Sequence, residues 1–210
     1  MKKICVISEG NPAVDPRPHR VVNLLRKHYL VTIIGRGIEG LILDGIEVLS
    51  YDIPLKRTAE QEEELERNVA KKDYLKLVQI PTRMKIIEHL NKCEFDIIFC
   101  HDLVLLPFVL EAKKNAKVIF DAREYYPREM ENNERWRRLF ADFNDWLCKT
   151  YLPQADIVYT VCNGLAEEYS KNYGITCGVI TSAAKYYAPP PKGLSSHETI
   201  KLIYHGMAGR

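Results

Sequence analysis

Seven short apolar runs, separated by stretches with helical periodicity, constrain the fold of this chain more than any other feature. They are rich in Val, Ile, Phe and Tyr and are mostly continuous rather than alternating, which is typical of strands covered on both faces. The runs are KICVI, YLVTIIG, IEVLSY, FDIIFC, AKVIFD, DIVYTV and CGVIT. Their alternation with helices predicts an α/β fold, a Rossmann-like, doubly wound, mostly parallel sheet of about seven strands.

Three local signals predict where helices begin and end. Thr58 and Gln61 fit a capping box ahead of an acidic helix, EQEEELER, whose few apolar residues predict a largely solvated face. In NGLAEEYSKNYG, Asn163 is a candidate N-cap and Gly174 is suited to the position just after the helix.

Composition excludes several classes of protein. The chain has 210 residues, 46% of them hydrophobic, which is enough for one main core. The net charge of +2, from 30 basic and 28 acidic residues, gives no global electrostatic argument for binding nucleic acid. The six cysteines form no CxxC pair and no zinc-ligand spacing, so we expect free thiols, a cytoplasmic location and no metal site.

The last 26 residues differ in composition from the rest of the chain. KYYAPPPKGLSSHET is rich in Pro and Ser and predicts a linker over 185–199. A further apolar run and two glycines follow at 200–210, which is how a new βα unit opens. We therefore expect residues 1–184 to form an N-terminal domain and 200–210 to be the first strand of a second, truncated domain.

The loops after the strands hold the candidate site residues, because ligands of open parallel sheets bind outside the carboxyl ends of the strands. The loop after the first strand, SEGNPAVDPRPHR, brings Arg17, His19 and Arg20 to the N-terminus of the first helix, where an anion is favoured. It contains no G-x-G-x-x-G, which argues against a simple nicotinamide dehydrogenase. The alternative is that the two arginines are ordinary surface residues.

Two further loops place polar groups at the same edge. His101 follows FDIIFC and has the chemistry of a general base or a partner for a sugar hydroxyl. In the alternative, Asp102 caps a helix beginning near Pro107 and His101 is only a packed neighbour. The stretch DAREYYPREME leaves the fifth run and predicts either one wall of a ligand cleft or a plain turn. Its candidate substrate-binding residues are Glu124, Tyr125 and Tyr126. Arg123 joins His101 and Asp102 as a candidate catalytic residue.

The order and spacing of five segments resemble the N-terminal domain of GT-B glycosyltransferases, in particular the bacterial retaining enzymes of family 4, group 1, that build surface polysaccharides. The resemblance covers nearly the whole chain, although each motif by itself is loose. The segments are NPAVDPRPHRVVNLL, FDIIFCHD, KVIFDAREYYPRE, ADIVYTVCNGLAEEY and IKLIYHG.

This resemblance implies a fold and an activity. The intact protein would have two Rossmann-like domains and would transfer a sugar, with no cofactor, from a nucleotide-diphosphate sugar to a glycan or lipid-linked acceptor. The N-terminal half would mainly hold the acceptor, so this chain alone is expected to be nearly inactive. Arg17, His19 and Arg20 would border the donor phosphate or the acceptor. Relatives often carry D-x-H-E where this chain reads D-A-R-E, so Arg123 stands in the place of a histidine and is a candidate to bind a diphosphate or an acidic sugar.

Other functions fit the same residues. A nucleotide-sugar 2-epimerase shares the two-domain fold without needing an acceptor, and a non-catalytic module would bind only a glycan or a nucleotide. The segment NERWRRLFADFNDWLCKTYL interleaves basic and aromatic residues, so its helix would either lie on the inner face of the plasma membrane or pack on the sheet. Packing would use the residues at helical spacing, Leu139, Phe143, Trp146 and Leu147.

Overall fold

A seven-stranded, entirely parallel sheet forms the centre of the computed structural model, which describes residues 1–38, 40–51, 56–183, 186 and 188. The strand order is β3-β2-β1-β4-β5-β6-β7, and all six pairings are parallel. The sequence prediction of a Rossmann-like sheet is therefore confirmed. The strands are β1 (Lys3–Ile7), β2 (Leu30–Arg36), β3 (Ile46–Tyr51), β4 (Ile97–Cys100), β5 (Lys117–Ala122), β6 (Ile157–Thr160) and β7 (Cys177–Val179).

Helices connect most of the strands. A π-helical turn, Arg137–Ala141, joins α6 to α7, and three short 3-10 turns cover Leu103–Leu105, Tyr126–Arg128 and Leu152–Gln154. The α-helices are α1 (Pro16–Leu25), α2 (Ala59–Ala70), α3 (Tyr74–Val78), α4 (Pro81–Lys92), α5 (Leu106–Ala112), α6 (Glu134–Trp136), α7 (Asp142–Tyr151) and α8 (Asn163–Tyr173).

Two of the three helix signals are confirmed. Thr58 accepts a hydrogen bond from the Gln61 amide while the Gln61 side chain accepts from the Thr58 amide, which is a complete capping box. Gly174 ends α8 in the left-handed region with φ of 64°, a conformation that costs glycine little. The prediction for Asn163 is wrong. Cys162 occupies the N-cap position without a side-chain hydrogen bond, and Asn163 is already the first helical residue.

The sheet is covered on both faces, as the continuous apolar runs predict. A small apolar cluster lies between α1 and the first two strands and includes Val6, Val22 and Ile33. The larger cluster covers the opposite face, where α4, α5, α7 and α8 pack over residues such as Phe120 and Val158. The side chains at the carboxyl ends of the strands are thus held by a close-packed core on either side of the sheet.

The basic and aromatic helical segment packs on the sheet. Leu139, Phe143 and Leu147 are buried and Trp146 is half-buried. Among the described residues, no helix has the length and hydrophobicity that spanning a bilayer requires.

The acidic helix α2 lies beside this segment. Its buried residues are Leu65 and Asn68, so it is largely solvated as expected. Its Glu62 and Glu66 pair with Arg135 and Arg138 at 2.7 and 2.5 Å. Two of the basic residues of this segment therefore already have partners within the chain.

Gly35, near the end of β2, allows the loop after β1 to cross this strand at close range. A Cβ at this position would lie 2.3 Å from the Pro12 Cδ and 2.8 Å from the Gly10 carbonyl oxygen. The same carbonyl oxygen accepts a hydrogen bond from the Arg36 amide at 2.9 Å. The loop that carries Asp15 and leads into α1 is therefore seated directly on the sheet.

We expect Gly35→Ala to lower the free energy of unfolding by about 1–3 kcal/mol, because the added methyl group forces the loop away from the strand. Urea unfolding followed by circular dichroism measures this change. The matched control is Gly164→Ala in α8, where the added methyl group meets nothing within 4 Å. Its helical position should make alanine neutral or slightly stabilising. Equal effects of the two substitutions would contradict the close approach.

The predicted domain boundary falls at the end of the described part of the chain. The last strand described is β7, and the predicted linker 185–199, apart from residues 186 and 188, lies outside the described residues. The predicted strand at 200–210 also lies outside them. The division at residue 184 stays a prediction.

Candidate functional site

The candidate site lies at the carboxyl edge of the sheet, where the strand order reverses between β1 and β4. Chain connections diverge at this point, so a crevice opens outside the strand ends. Ser8 and Glu9 follow β1, and Asp102 follows β4. The Asp102 Oδ2 atom accepts hydrogen bonds from the Ser8 hydroxyl at 3.0 Å and from the Glu9 amide at 2.6 Å. Asp102 therefore ties together the two loops that border the crevice.

Asp102 does not cap a helix. Its side chain makes no capping hydrogen bond to the 3-10 turn that it precedes, and α5 begins at Leu106 after that turn. The capping alternative is thus wrong, because the carboxylate is turned across the sheet edge toward β1 and β5 instead of along its own chain.

Arg123, just after β5, completes this network. Its Nη1 atom lies 2.9 Å from Asp15 Oδ2 and its Nη2 atom lies 2.5 Å from Asp102 Oδ1. Burial opposes its charge, but Asp102 and Asp15 outweigh burial and raise the pKa of the guanidinium above its ordinary value. Both terminal nitrogens are thus committed to carboxylates of the protein, and Arg123 joins the loops after β1, β4 and β5.

His101 and Asp121 form a second, fully internal pair. The His101 Nδ1 atom lies 3.1 Å from Asp121 Oδ2, and both side chains are buried. The other carboxylate oxygen, Oδ1, lies 3.8 Å from Arg17 Nη1, which is too long for a hydrogen bond. Three buried atoms of this group have no hydrogen-bond partner within the described structure: His101 Nε2, Asp121 Oδ1 and Arg17 Nη1.

A pocket of about 300 Å³ opens beside Arg123. Arg17 and Arg20 of α1 line it, together with residues of the β5 loop and the segment after β7. The full lining is Asp15, Pro16, Arg17, Arg20, Arg123, Glu124, Glu129 and Ser182. Arg20 donates to the Pro16 carbonyl, the Ala183 carbonyl and the Ser182 hydroxyl. His19 is exposed, does not line the pocket, and contacts Asn23 at 2.7 Å.

The two tyrosines of the β5 loop are held by helix α8. The Tyr169 hydroxyl donates to the Glu124 carbonyl at 2.6 Å and accepts from the Tyr126 amide at 3.1 Å. Tyr126 is buried and its hydroxyl donates to the His101 carbonyl at 3.3 Å, while the Tyr125 ring packs against Tyr169. Among these predicted binding residues the structure therefore brings the Glu124 side chain to the pocket and uses both tyrosines to support the loop.

Glu129 adds a second carboxylate to the pocket. Partial burial, followed by the neighbouring Glu124, raises the pKa of its carboxyl above the ordinary value. Within the part of the chain that the structure describes, no three His, Cys, Asp or Glu side chains are grouped so that they could hold a metal ion. The pocket therefore offers a ligand charged and hydrogen-bonding side chains.

The family model of Glycosyltransferase Family 4 matches residues 19–181, most of this chain. The chain belongs to glycosyltransferase family 4. This confirms the resemblance noted in the sequence, including the fold of the N-terminal half of a GT-B glycosyltransferase. Comparison with curated protein sequences finds none that matches.

Solved structures support the same fold. Sucrose-phosphate synthase from Thermosynechococcus elongatus superposes with a TM-score of 0.57 and 15% identity, over 85% of this chain and 47% of that one. The lipopolysaccharide outer core galactosyltransferase WaaB superposes with a TM-score of 0.54 and 12% identity, over 90% of this chain and 49% of that one. HepE from Anabaena, in complex with UDP and glucose, superposes with a TM-score of 0.51 and 12% identity, over 88% of this chain and 45% of that one. The chain spans about half the length of these structures.

Several residues of this candidate site do not stand out in the sequence. Asp15, Asp121 and Glu129 are ordinary acidic residues in the printed chain, and Ser182 follows the last strand described. Two positional signals were available. Asp15 lies one residue before a helix that starts with proline, and Asp121 lies at the end of a buried run. Their partners lie about 20 to 108 residues away, at separations that no local pattern predicts.

Proposed function

We propose that the intact protein is a retaining glycosyltransferase that moves a sugar from a nucleotide-diphosphate donor to a glycan or lipid-linked acceptor in the synthesis of a surface polysaccharide. The family match over residues 19–181 is the observation that carries this proposal. The reaction would take place in the cytoplasm or at the inner face of the plasma membrane. The nucleotide sugar would be a co-substrate, with no further cofactor.

The site geometry supports an acceptor role for this half of the protein. Retaining transfer needs an acceptor hydroxyl close to the anomeric carbon and a stabilised nucleoside diphosphate leaving group. The pocket beside Arg123 is large enough for one sugar unit and is lined by carboxylates and guanidinium groups that bind hydroxyls. Because both terminal nitrogens of Arg123 already bond to aspartates, we assign Arg123 to fixing the pocket wall rather than to binding a diphosphate.

The proposal is tested with the protein isolated from its native cells. UDP-glucose is the first donor to offer, since the related fold of HepE was solved with UDP and glucose, and other nucleotide sugars follow. A lipid extract from the same cells supplies the acceptors. The expected result is transfer of label to a glycan or lipid, with the donor's anomeric configuration retained in the product linkage by NMR.

Other outcomes separate the alternatives. An inverted product linkage would overturn the retaining mechanism and keep the transferase. Conversion of the nucleotide sugar into an epimer without any acceptor would replace the proposal with a 2-epimerase. Binding of a nucleotide or glycan with no chemical change, across all donors and acceptors, would favour the non-catalytic module.

A further inference from the structure

Helix α2 lies against the basic and aromatic helical segment through its charged side chains. It carries five glutamates and one arginine. Glu62 accepts a hydrogen bond from Arg135 at 2.7 Å, and the two carboxylate oxygens of Glu66 accept from the two terminal nitrogens of Arg138 at 2.5 and 2.9 Å. A guanidinium binds a phosphate with the same paired geometry. The carboxylates of α2 therefore occupy positions that suit the anionic groups of a partner.

Arg57, two residues before α2, covers the aromatic part of the same surface. Its guanidinium carbon lies 5.8 Å from the centroid of the Phe140 ring, and Nη1 lies 3.6 Å from Glu62 Oε1. The Phe140 and Trp136 rings are half-buried, with centroids 6.4 Å apart. Because Arg57 is linked to α2 by this ion pair, it moves with the helix. Departure of α2 would uncover two aromatic rings next to two arginines.

The attachment of α2 to the rest of the domain is weak. Leu65 and Asn68 are its buried residues, and its ion pairs lie at exposed side chains, where solvent screens them. The following helix, α3, is anchored differently, because its Tyr74 and Val78 belong to the larger core cluster. The turn at 71–73 joins the two helices. Helix α2 can therefore swing away about this turn while α3 and the core stay packed.

We propose that α2 is a displaceable cover, and that an anionic lipid surface takes its place on Arg135, Arg138 and the two aromatic rings. This inference goes beyond the proposed transferase function and does not depend on it. Lipid phosphates replace the carboxylates of α2 as partners of the arginines, while Trp136 and Phe140 enter the interfacial layer that aromatic side chains favour. The same lipid surface repels the glutamates of α2, so the cover and the membrane exclude each other.

Flotation of the purified chain with lipid vesicles tests this exchange. Vesicles of phosphatidylcholine alone are compared with an equal mixture of phosphatidylcholine and phosphatidylglycerol. We expect binding to the anionic vesicles only, and the double variant Glu62→Gln, Glu66→Gln should partition about fivefold more strongly because its cover is weakened. The control, Glu60→Gln, Glu64→Gln, removes the same charge from exposed positions of the same helix, outside the two ion pairs. It should change partitioning less than about twofold.

Hydrogen exchange of the α2 amides reports whether the cover leaves. We expect exchange over 61–70 to rise about tenfold with anionic vesicles and to stay unchanged with phosphatidylcholine. The double variant Arg135→Gln, Arg138→Gln should lose vesicle binding although its α2 is also released from both ion pairs. Inorganic phosphate should leave α2 protected, because it offers no interface to the aromatic rings.

Four results would overturn the proposal. They are binding to neither kind of vesicle, a protected α2 in the vesicle-bound chain, equal partitioning of the two glutamate variants, and unchanged binding after both arginines are replaced. If inorganic phosphate raises exchange as much as the vesicles do, the arginines bind a soluble anion and the lipid surface is likewise excluded. None of these results touches the transferase proposal, which is decided by the product of the native protein.

Discussion

Replacing Tyr169 with alanine should lower the free energy of unfolding by about 3–5 kcal/mol, the largest effect expected of any substitution considered for this chain. Tyr169 is fully buried and packs against Tyr125 and Tyr173, with ring centroids 5.2 and 5.8 Å away. Its hydroxyl also holds the Glu124 carbonyl and the Tyr126 amide. Alanine removes both the packing and the anchor of the β5 loop. Guanidinium unfolding of purified variants gives the value.

Tyr169→Phe separates the two contributions. The ring stays, but the Glu124 carbonyl and the Tyr126 amide lose their partner, so we expect a loss of about 1–3 kcal/mol. Tyr29→Ala serves as the control, because Tyr29 is an exposed residue, and should cost less than about 1 kcal/mol. If Tyr169→Phe is as stable as the unmodified chain, the hydroxyl does not anchor the loop and the support assigned to α8 is wrong.

Arg123→Ala should lower the free energy of unfolding by about 2–4 kcal/mol, because it leaves the carboxylates of Asp15 and Asp102 without their shared cation. The Asp102 side chain is only 11% exposed, so water restores little of the lost interaction. Arg123→Lys keeps the charge but cannot reach both carboxylates with a planar fork, and we expect an intermediate loss. In the intact protein we also expect Arg123→Ala to reduce turnover at least about tenfold, through the displaced pocket wall.

The control for Arg123 is Arg67→Ala. Arg67 makes an exposed ion pair with Glu63 one helical turn away, and pairs of this kind contribute less than about 1 kcal/mol. Chemical unfolding of all three variants under the same conditions compares them. A loss at Arg123 no larger than that at Arg67 would mean that the network joining the three loops does not hold the site together.

Much of the fold was predictable because its determinants are local. All seven apolar runs became strands of one parallel sheet, since continuous stretches of β-branched and aromatic residues are stable only when both faces are covered. The capping box at Thr58 and the left-handed Gly174 were predictable for the same reason, as each signal acts within one helical turn. The error at Asn163 was a shift of one residue along the chain.

The candidate site was predictable in its location but not in its bonding. The sequence placed Arg17, Arg20, Arg123 and Glu124 at one edge of the sheet, and the structure finds all four around one pocket. It also placed Tyr126 there as a ligand-binding residue, but that side chain is buried and its hydroxyl bonds to the His101 carbonyl. Whether a side chain after a strand points to the crevice or to the core depends on the packing of neighbouring helices, and no local pattern records this.

The sequence by itself determined a mostly parallel sheet of about seven strands, the family and the edge of the sheet that holds the candidate site, because hydrophobic periodicity and motif order are properties of the linear chain. Only the tertiary structure decided that Arg123 is held between Asp15 and Asp102 and that Glu124 and Glu129 have no cationic partner among the described residues. These pairings join groups as much as 108 residues apart. Electrostatic energy depends on distance in space, so the charge balance of the pocket exists only once the sheet has brought its loops together.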